Sequence, residues 1–122
     1  MIYKEEVYKI VGVAMEVYNV LGSGFLEPVY QEALEIELDA RGIPYQSQAL
    51  IPICYKSRKL EKEYIADFIC YQEIIFEIKA VERLTKTFQS HLLNYLHGAK
   101  KSVGLLINFG QEDGLEWKRM II

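Results

Sequence analysis

Hydrophobic side chains recur along the chain at two spacings, one typical of helices and one typical of strands. In residues 3–21 they return every three or four positions, which predicts an amphipathic helix that ends at the glycines that follow. A second helical stripe begins near Pro28, a residue suited to the first turn of a helix, and ends before Gly42. A third occupies residues 85–100. We therefore predict three helices.

Five shorter runs are rich in Ile, Val, Phe and Tyr, as strands are. They occupy residues 45–55, 64–70, 74–80, 102–108 and 115–122. Pro52 predicts that the first run is an edge strand or contains a bulge, because proline cannot donate a ladder hydrogen bond. The run at 102–108 is almost wholly apolar, which indicates a buried strand. The predicted fold is α/β, with a mixed sheet of about five strands flanked by helices in the order α-α-β-β-β-α-β-β.

Composition and charge are those of an ordinary globular chain. Of its 122 residues 51% are apolar and 25% charged, which suits a single domain over residues 1–122. Its 14 Lys and Arg against 17 Asp and Glu give no excess of positive charge that would announce a nucleic-acid binder. Cys54 and Cys70 lack metal-ligand spacing, so we expect buried thiols. With no signal peptide and no apolar run of about 18 residues, we expect a cytoplasmic protein without a membrane partner.

Three charged residues interrupt the two central strands of the predicted hairpin. Asp67 lies in the first of them, and Glu77 and Lys79 lie in the second. Because side chains alternate between faces, Glu77 and Lys79 point the same way, and a simple register brings Asp67 opposite them. Such a patch could bind a cation beside a poised base. The alternative is a half-buried strand whose charged residues face water and form a weak ion pair.

A further carboxylate, Glu27, stands at or next to the N-cap of the second helix. Such a residue is commonly only a cap for free backbone N–H groups. Helical spacing also puts Glu37 at the edge of the stripe that should face the sheet. Either acid could therefore reach a site on the sheet.

Several short motifs follow one another in a fixed order. They are G-x-x-E-x-x-Y at residues 24–30, Ala66-Asp67-Phe68, Glu77-Ile78-Lys79-Ala80-Val81, Gln89 ahead of Asn94-Tyr95-Leu96, and the run at 104–110. Together they resemble the GxxExxY family, which is grouped with the PD-(D/E)XK nuclease superfamily and its restriction-endonuclease-like fold. The resemblance extends over most of the chain, and one departure is Ala66 where the superfamily's name shows proline.

The resemblance implies roles for five residues. Asp67 and Glu77 resemble the two acids that bind a metal ion, and Lys79 resembles the lysine that orients or deprotonates the attacking water. Glu27 resembles the acid of the first core helix, a further candidate ligand, and Gln89 the polar residue of the helix after the motif strand. The implied cofactor is Mg²⁺ or Mn²⁺, since a hard ion prefers oxygen ligands and lowers the pKa of a bound water.

The implied function is a metal-dependent nuclease that hydrolyses phosphodiester bonds of DNA or, as the second choice, RNA. Two other functions stay open, because fold does not decide function. One is a non-catalytic module that keeps the fold to bind nucleic acid or protein, and the other is an enzyme acting on another phosphate ester or a nucleotide. The presence of Asp67, Glu77 and Lys79 together favours the nuclease. A homodimer is also open, since a nuclease that cuts both strands commonly has one site in each subunit.

Overall fold

A five-stranded mixed sheet lies between two layers of helices in the computed structural model, which describes residues 2–122. The elements are α1 (Lys4–Leu21), α2 (Glu27–Ala40), β1 (Tyr45–Tyr55), β2 (Arg58–Cys70), β3 (Ile74–Lys79), α3 (Lys86–Ala99), β4 (Val103–Asn108) and β5 (Glu116–Ile121). The strands lie in the order β1-β2-β3-β4-β5. Only β3 and β4 are parallel, with α3 as the crossover between them. The predicted element order and the mixed sheet are confirmed.

Each face of the sheet has its own apolar core. The helices α1 and α2 cover one face, and the buried side chains of their stripes pack on alternate residues of β3 and β4. The helix α3 covers the other face through Leu92 and Leu96. At Gly104 of β4 an added Cβ would meet the Leu92 side chain at 2.9 Å, so glycine allows α3 to approach the strand closely. Both central strands are therefore buried on two sides.

The strands β1 and β2 extend beyond the rest of the sheet. The edge strand β1 has a register shift at Pro52, as predicted from the proline. Residues 54–65, which we call the ribbon, are all exposed. The expectation that Cys54 is buried is therefore wrong, because neither a third strand nor a helix covers this part of β1. Cys70 is buried as expected, and burial raises the pKa of its thiol to about 12.

Candidate functional site

The strands β2 and β3 separate at Asp67 and Glu77, and the two carboxylates fill the gap. Registered pairing ends at Phe68 and Phe76. Beyond that pair, the N–H of Ile78 donates to Oδ2 of Asp67 at 2.8 Å, and the N–H of Asp67 donates to Oε2 of Glu77 at 2.5 Å. Each acid thus binds the main chain of the opposite strand where ladder hydrogen bonds would otherwise continue. The two acids are held close together, as the hairpin register predicts.

Both carboxyl groups are poorly solvated. Glu77 is only 8% exposed, and burial followed by the nearby charge of Asp67 raises its pKa to about 8. Burial also raises the pKa of Asp67, against the opposing effects of the Ile78 N–H and the Lys79 charge. Two neighbouring acids in such a gap favour a proton or a cation between them. The alternative of a strand whose charged residues face water is therefore wrong for Glu77.

Lys79 ends β3 and is directed toward α3. Its Nζ lies 4.8 Å from the centre of the Phe88 ring, a cation–π distance. Its charge lowers the pKa of both Asp67 and Glu77, so it lies near them. Within residues 2–122, however, Lys79 forms no direct ion pair with either acid. The ammonium group is thus close to the carboxylates without being bound to them.

A buried asparagine holds the chain that follows Lys79. Asn108 is fully buried at the end of β4 and makes four hydrogen bonds of 2.9–3.0 Å. Its Oδ1 accepts from the N–H groups of Val81 and Gly110. Its Nδ2 donates to the carbonyl of Val81 and to Oε1 of Glu116. The main chain beyond Lys79 is therefore fixed by β4 and β5.

The G-x-x-E-x-x-Y motif determines how α2 begins. Gly24 has φ of 108°, a conformation that glycine adopts far more readily than other residues. Tyr30 is fully buried, and its hydroxyl donates to the carbonyl of Gly22 at 2.6 Å. Its ring stacks on Phe109 with centroids 4.4 Å apart. These contacts tie the loop to the core and set the position of Glu27, the first residue of α2.

Glu27 lies at the rim of the site and is not the N-cap. Leu26 occupies the cap position, with Pro28 as the second helical residue. Glu27 is half-buried and lines a cleft of about 450 Å³ that also includes Asp67. Its charge contributes to the raised pKa of Glu77. In the described part of the chain no three His, Cys, Asp or Glu side chains are close enough to share one metal ion, so Glu27 stands apart from the central pair.

The helix α2 contacts the Asp67 segment through polar residues that the sequence analysis did not single out. Gln31 donates from Nε2 to Oγ of Ser47 at 2.8 Å and to the carbonyl oxygen of Asp67 at 3.1 Å. Ser47 in turn donates to Oε2 of Glu35. The one available signal was the four-residue spacing of Glu27, Gln31 and Glu35, which puts all three on one face of the helix.

Opposite Asp67, the backbone of β1 is distorted at Gln48. The β1–β2 register continues at Ser47 and Ala49, but Gln48 has no registered partner. Its φ is 50°, which is uncommon for a residue other than glycine. Its Nε2 lies 3.5 Å from Oδ1 of Asp67. Gln48 also lines the cleft that includes Glu27 and Asp67.

Two other candidate residues form no hydrogen bond or ion pair with the acid pair in the described part of the chain. Gln89 is half-buried on α3, one residue after Phe88, and its side chain forms no hydrogen bond with other residues between 2 and 122. Glu37 pairs with Arg41 at 2.8 Å and lines a groove between α1 and α2. The expectation that Glu37 could reach a site on the sheet is therefore wrong.

Comparison with known proteins identifies the family. A family model described as the PD-(D/E)XK nuclease superfamily matches residues 4–120. The chain belongs to this superfamily. Its members are nucleases that generally depend on divalent metal ions. Ala66-Asp67 and Glu77-Ile78-Lys79 resemble the letters of the PD-(D/E)XK name, with Ala66 in place of the proline.

A solved structure is similar to this chain in fold. The crystal structure of SSO0001 aligns with a TM-score of 0.63 at 17% sequence identity, a likeness of fold alone. The alignment covers 98% of this chain and 59% of that chain, so the present chain spans about three fifths of its length. Among curated proteins there is no match. No helix between residues 2 and 122 has the length and apolar character needed to cross a membrane.

The carboxylate pair predicts that stability of the metal-free protein falls as the pH rises. Folding raises the pKa of Glu77 from 4.5 to about 8, so its stabilising contribution is complete below about pH 4.5 and is lost as the pH approaches 8. One pKa unit corresponds to about 1.4 kcal/mol, so the expected loss is on the order of a few kcal/mol. Urea unfolding in EDTA at pH 5 and pH 8.5 measures it. Glu77→Gln should show a smaller pH effect, and an equal effect in both proteins would contradict this account.

Proposed function

We propose that the protein is a metal-dependent nuclease in which Asp67 and Glu77 bind Mg²⁺ or Mn²⁺ and Lys79 assists the attacking water. The observation that carries this proposal is the pair of desolvated carboxylates in the gap between β2 and β3, with the ammonium of Lys79 near them. Membership of a nuclease superfamily supports phosphodiester hydrolysis as the reaction. DNA is the first substrate to test and RNA the second.

The available donor atoms suit a hard divalent cation. Asp67 and Glu77 each use one oxygen, Oδ2 and Oε2, to accept a main-chain hydrogen bond. The other oxygen of Glu77 is then available as a metal ligand, and Oδ1 of Asp67 has only a long contact of 3.5 Å with Nε2 of Gln48. Mg²⁺ commonly keeps several waters beside one or two carboxylates. A cation would also offset the charge repulsion that raises the pKa of Glu77. Glu27 would act from the rim of the cleft, through a water or on the substrate.

Each side chain of the site has a separate role in the proposed reaction. A bound divalent ion supplies Lewis acidity toward the phosphate and lowers the pKa of a water. Lys79 orients that water, takes up its proton when it is present as the neutral amine, and then as the ammonium balances the negative charge that develops as the new P–O bond forms and the old one breaks. Phe88 holds the Lys79 ammonium in position. Gln31 fixes the main chain of Asp67, and Gln89 of α3 is proposed to contact a phosphate.

The family within the superfamily, the domain organisation, the oligomeric state and the cellular compartment are also proposed. Gly24, Glu27 and Tyr30 support the GxxExxY family as its branch of the superfamily. We propose that residues 1–122 act as one nuclease domain and that a homodimer forms where both strands of a duplex are cut. The free thiols of Cys54 and Cys70 support a reducing compartment such as the cytoplasm.

Calorimetric titration of Mg²⁺ and Mn²⁺ into the purified protein tests the proposed function. We expect binding of a metal ion to the wild type that disappears in Asp67→Asn/Glu77→Gln, because that change removes both charges with little change of shape. The matched control is Glu5→Gln/Glu112→Gln, which removes two exposed acids outside the cleft and should bind as the wild type does.

The same proteins are then incubated with single- and double-stranded DNA and RNA in Mg²⁺ or Mn²⁺. Cleavage by the wild type and the control, and none by Asp67→Asn/Glu77→Gln, is the expected result. No metal binding by the wild type, even with nucleic acid present, would contradict the catalytic proposal and favour a non-catalytic module. Metal binding retained by the double variant would show that the ligands lie elsewhere.

A further inference from the structure

The ribbon of residues 54–65 has a composition that packing within the chain does not explain. Of β2, only Phe68–Cys70 pair in register with β3, so within the sheet the ribbon pairs only with itself and with residues 50–52 of β1. Four large apolar side chains on it are between 38% and 62% exposed: Tyr55, Leu60, Tyr64 and Ile65. An isolated two-stranded hairpin is only marginally stable in water. Aromatic and apolar side chains kept on such a hairpin indicate a surface that contacts a partner.

Positive charge is concentrated in the ribbon although the chain as a whole is acidic. The ribbon carries four of the 14 Lys and Arg residues and two of the 17 acids. The rest of the chain therefore has ten basic residues against fifteen acidic ones. The four basic residues are Lys56, Arg58, Lys59 and Lys62. A local excess of positive charge favours binding of a polyanion such as a nucleic acid. The acidic composition of the whole chain therefore does not argue against nucleic-acid binding at the ribbon.

Tyr64 connects the ribbon to α3 beside the acid pair. Its ring stacks on that of Tyr95, with centroids 4.8 Å apart. Tyr64 and Tyr95, together with His91 and Asn94, line a cleft of about 370 Å³. Tyr95 packs against the core cluster that contains Ala66 and Ile75, which neighbour Asp67 and Glu77 along their strands, so this cleft lies beside the acid pair on the α3 side of the sheet. The ribbon and the candidate site are thus parts of one continuous surface.

One face of the ribbon continues this cleft. Tyr64 contacts α3, and Lys62, two residues before it in β2, lies on the same face of that strand. Arg58 pairs with Tyr55 of β1. Tyr55 follows Ile51 and Ile53 at two-residue spacing, and these two isoleucines pack in the core on the α3 side. Gly98 allows β1 to lie close to α3, since an added Cβ would be 2.6 Å from Cδ1 of Ile53. The order along this surface is therefore acid pair, stacked tyrosines, then guanidinium and ammonium groups.

We propose that the α3-facing side of the ribbon binds a single DNA strand, with Arg58 and Lys62 on its phosphates and Tyr64 and Tyr95 against its bases. The inference rests on the proposed function, because it assigns the strand path that leads to the carboxylates. Basic groups that follow the backbone and aromatic rings that stack on bases are how unpaired strands are commonly bound. A duplex would keep its bases stacked on one another and away from these rings.

Fluorescence anisotropy with a labelled single-stranded 20-nucleotide DNA, in EDTA and at several salt concentrations, tests the inference. The ribbon variant is Arg58→Ala/Lys62→Ala. The control is Lys4→Ala/Lys9→Ala, which makes the same charge change at exposed positions of α1 on the opposite side of the sheet. We expect about tenfold weaker binding by the ribbon variant and a salt slope smaller by about 1.4, the value for two lost contacts to a single strand. The control should differ little from the wild type.

Each outcome bears on one proposal or both. Equal affinity of the ribbon and control variants, with cleavage intact, would overturn the strand path and leave the nuclease function standing. Ribbon-dependent binding without cleavage in Mg²⁺ or Mn²⁺ would support the strand path and contradict the nuclease function. Absence of DNA binding by the wild type at low salt would overturn the inference. Lys56→Glu at the exposed turn supplies a second ribbon variant in case the double substitution impairs folding.

Discussion

Replacing Lys79 with methionine is expected to abolish cleavage while leaving the fold and metal binding intact. The ammonium has no direct ion pair within residues 2–122, so its removal leaves no buried acid newly unpaired. The methionine side chain keeps an apolar body that can pack on Phe88. Loss of a group that moves a proton commonly lowers the rate by about 10²- to 10⁴-fold. Initial cleavage rates at saturating Mg²⁺, beside calorimetric metal binding and thermal unfolding, measure the effect.

A second substitution separates the two parts of the proposed role. Lys79→Arg keeps the positive charge but cannot act as a base, because a guanidinium stays protonated in proteins. Activity in the arginine variant would assign Lys79 to charge stabilisation, and inactivity would support proton transfer or strict positioning. Lys118→Met, at an exposed position of β5, is the matched control and should cleave normally. Cleavage by Lys79→Met within about twofold of the wild type would refute a chemical role for this residue.

Asn108→Ala is expected to cause the largest loss of stability among the substitutions considered. The change removes four hydrogen bonds and leaves main-chain groups of Val81 and Gly110 without these partners in a partly buried region. Each such group costs about 1–3 kcal/mol, so a loss of about 3–5 kcal/mol in the free energy of unfolding is expected. Urea unfolding measures it. Asn94→Ala, at an exposed position of α3, should change stability by less than about 0.5 kcal/mol.

The Asn108 substitution should also impair catalysis in whatever fraction stays folded. The released chain follows directly after Lys79, so the ammonium would no longer be held in one position. Asn108→Asp keeps the acceptor for two N–H groups but replaces the donor toward Glu116 by a second carboxylate oxygen, so it should lose stability too. Wild-type stability in Asn108→Ala would show that the loop is held by other contacts.

The order of helices and strands could be predicted because its signal is local. The 3.6-residue and two-residue periods of apolar side chains are present wherever an element has a buried face. The opposed positions of Asp67 and Glu77 were predictable for the same reason, since alternation and a hairpin register are both local rules. Burial of β4 on both faces also followed from its continuous apolar run.

The remaining features depend on how elements pack, which local periodicity does not describe. Gln31 and Ser47 meet only because α2 crosses β1, and Gln48 faces Asp67 through a local backbone distortion. Cys54 lies in a run of residues typical of a strand. Its exposure, however, depends on where β3 and α3 end, which the local pattern does not show. Glu37 lies on α2, which packs both on α1 and on the sheet. The spacing of apolar residues shows that Glu37 borders the buried stripe of α2 but does not show whether it lies on the side next to α1 or on the side next to the sheet.

The contacts of the G-x-x-E-x-x-Y motif indicate which of its three fixed residues evolution would retain. Gly24 and Tyr30 serve the loop and the core, and only Glu27 faces the cleft. Selection for a folded chain would preserve the glycine and the tyrosine in a lineage that had stopped cleaving nucleic acid. The glutamate would then be free to drift. Among descendants of such a protein, the glutamate of the motif would therefore follow whether the proposed activity was kept, and the glycine and the tyrosine would report only inheritance of the fold.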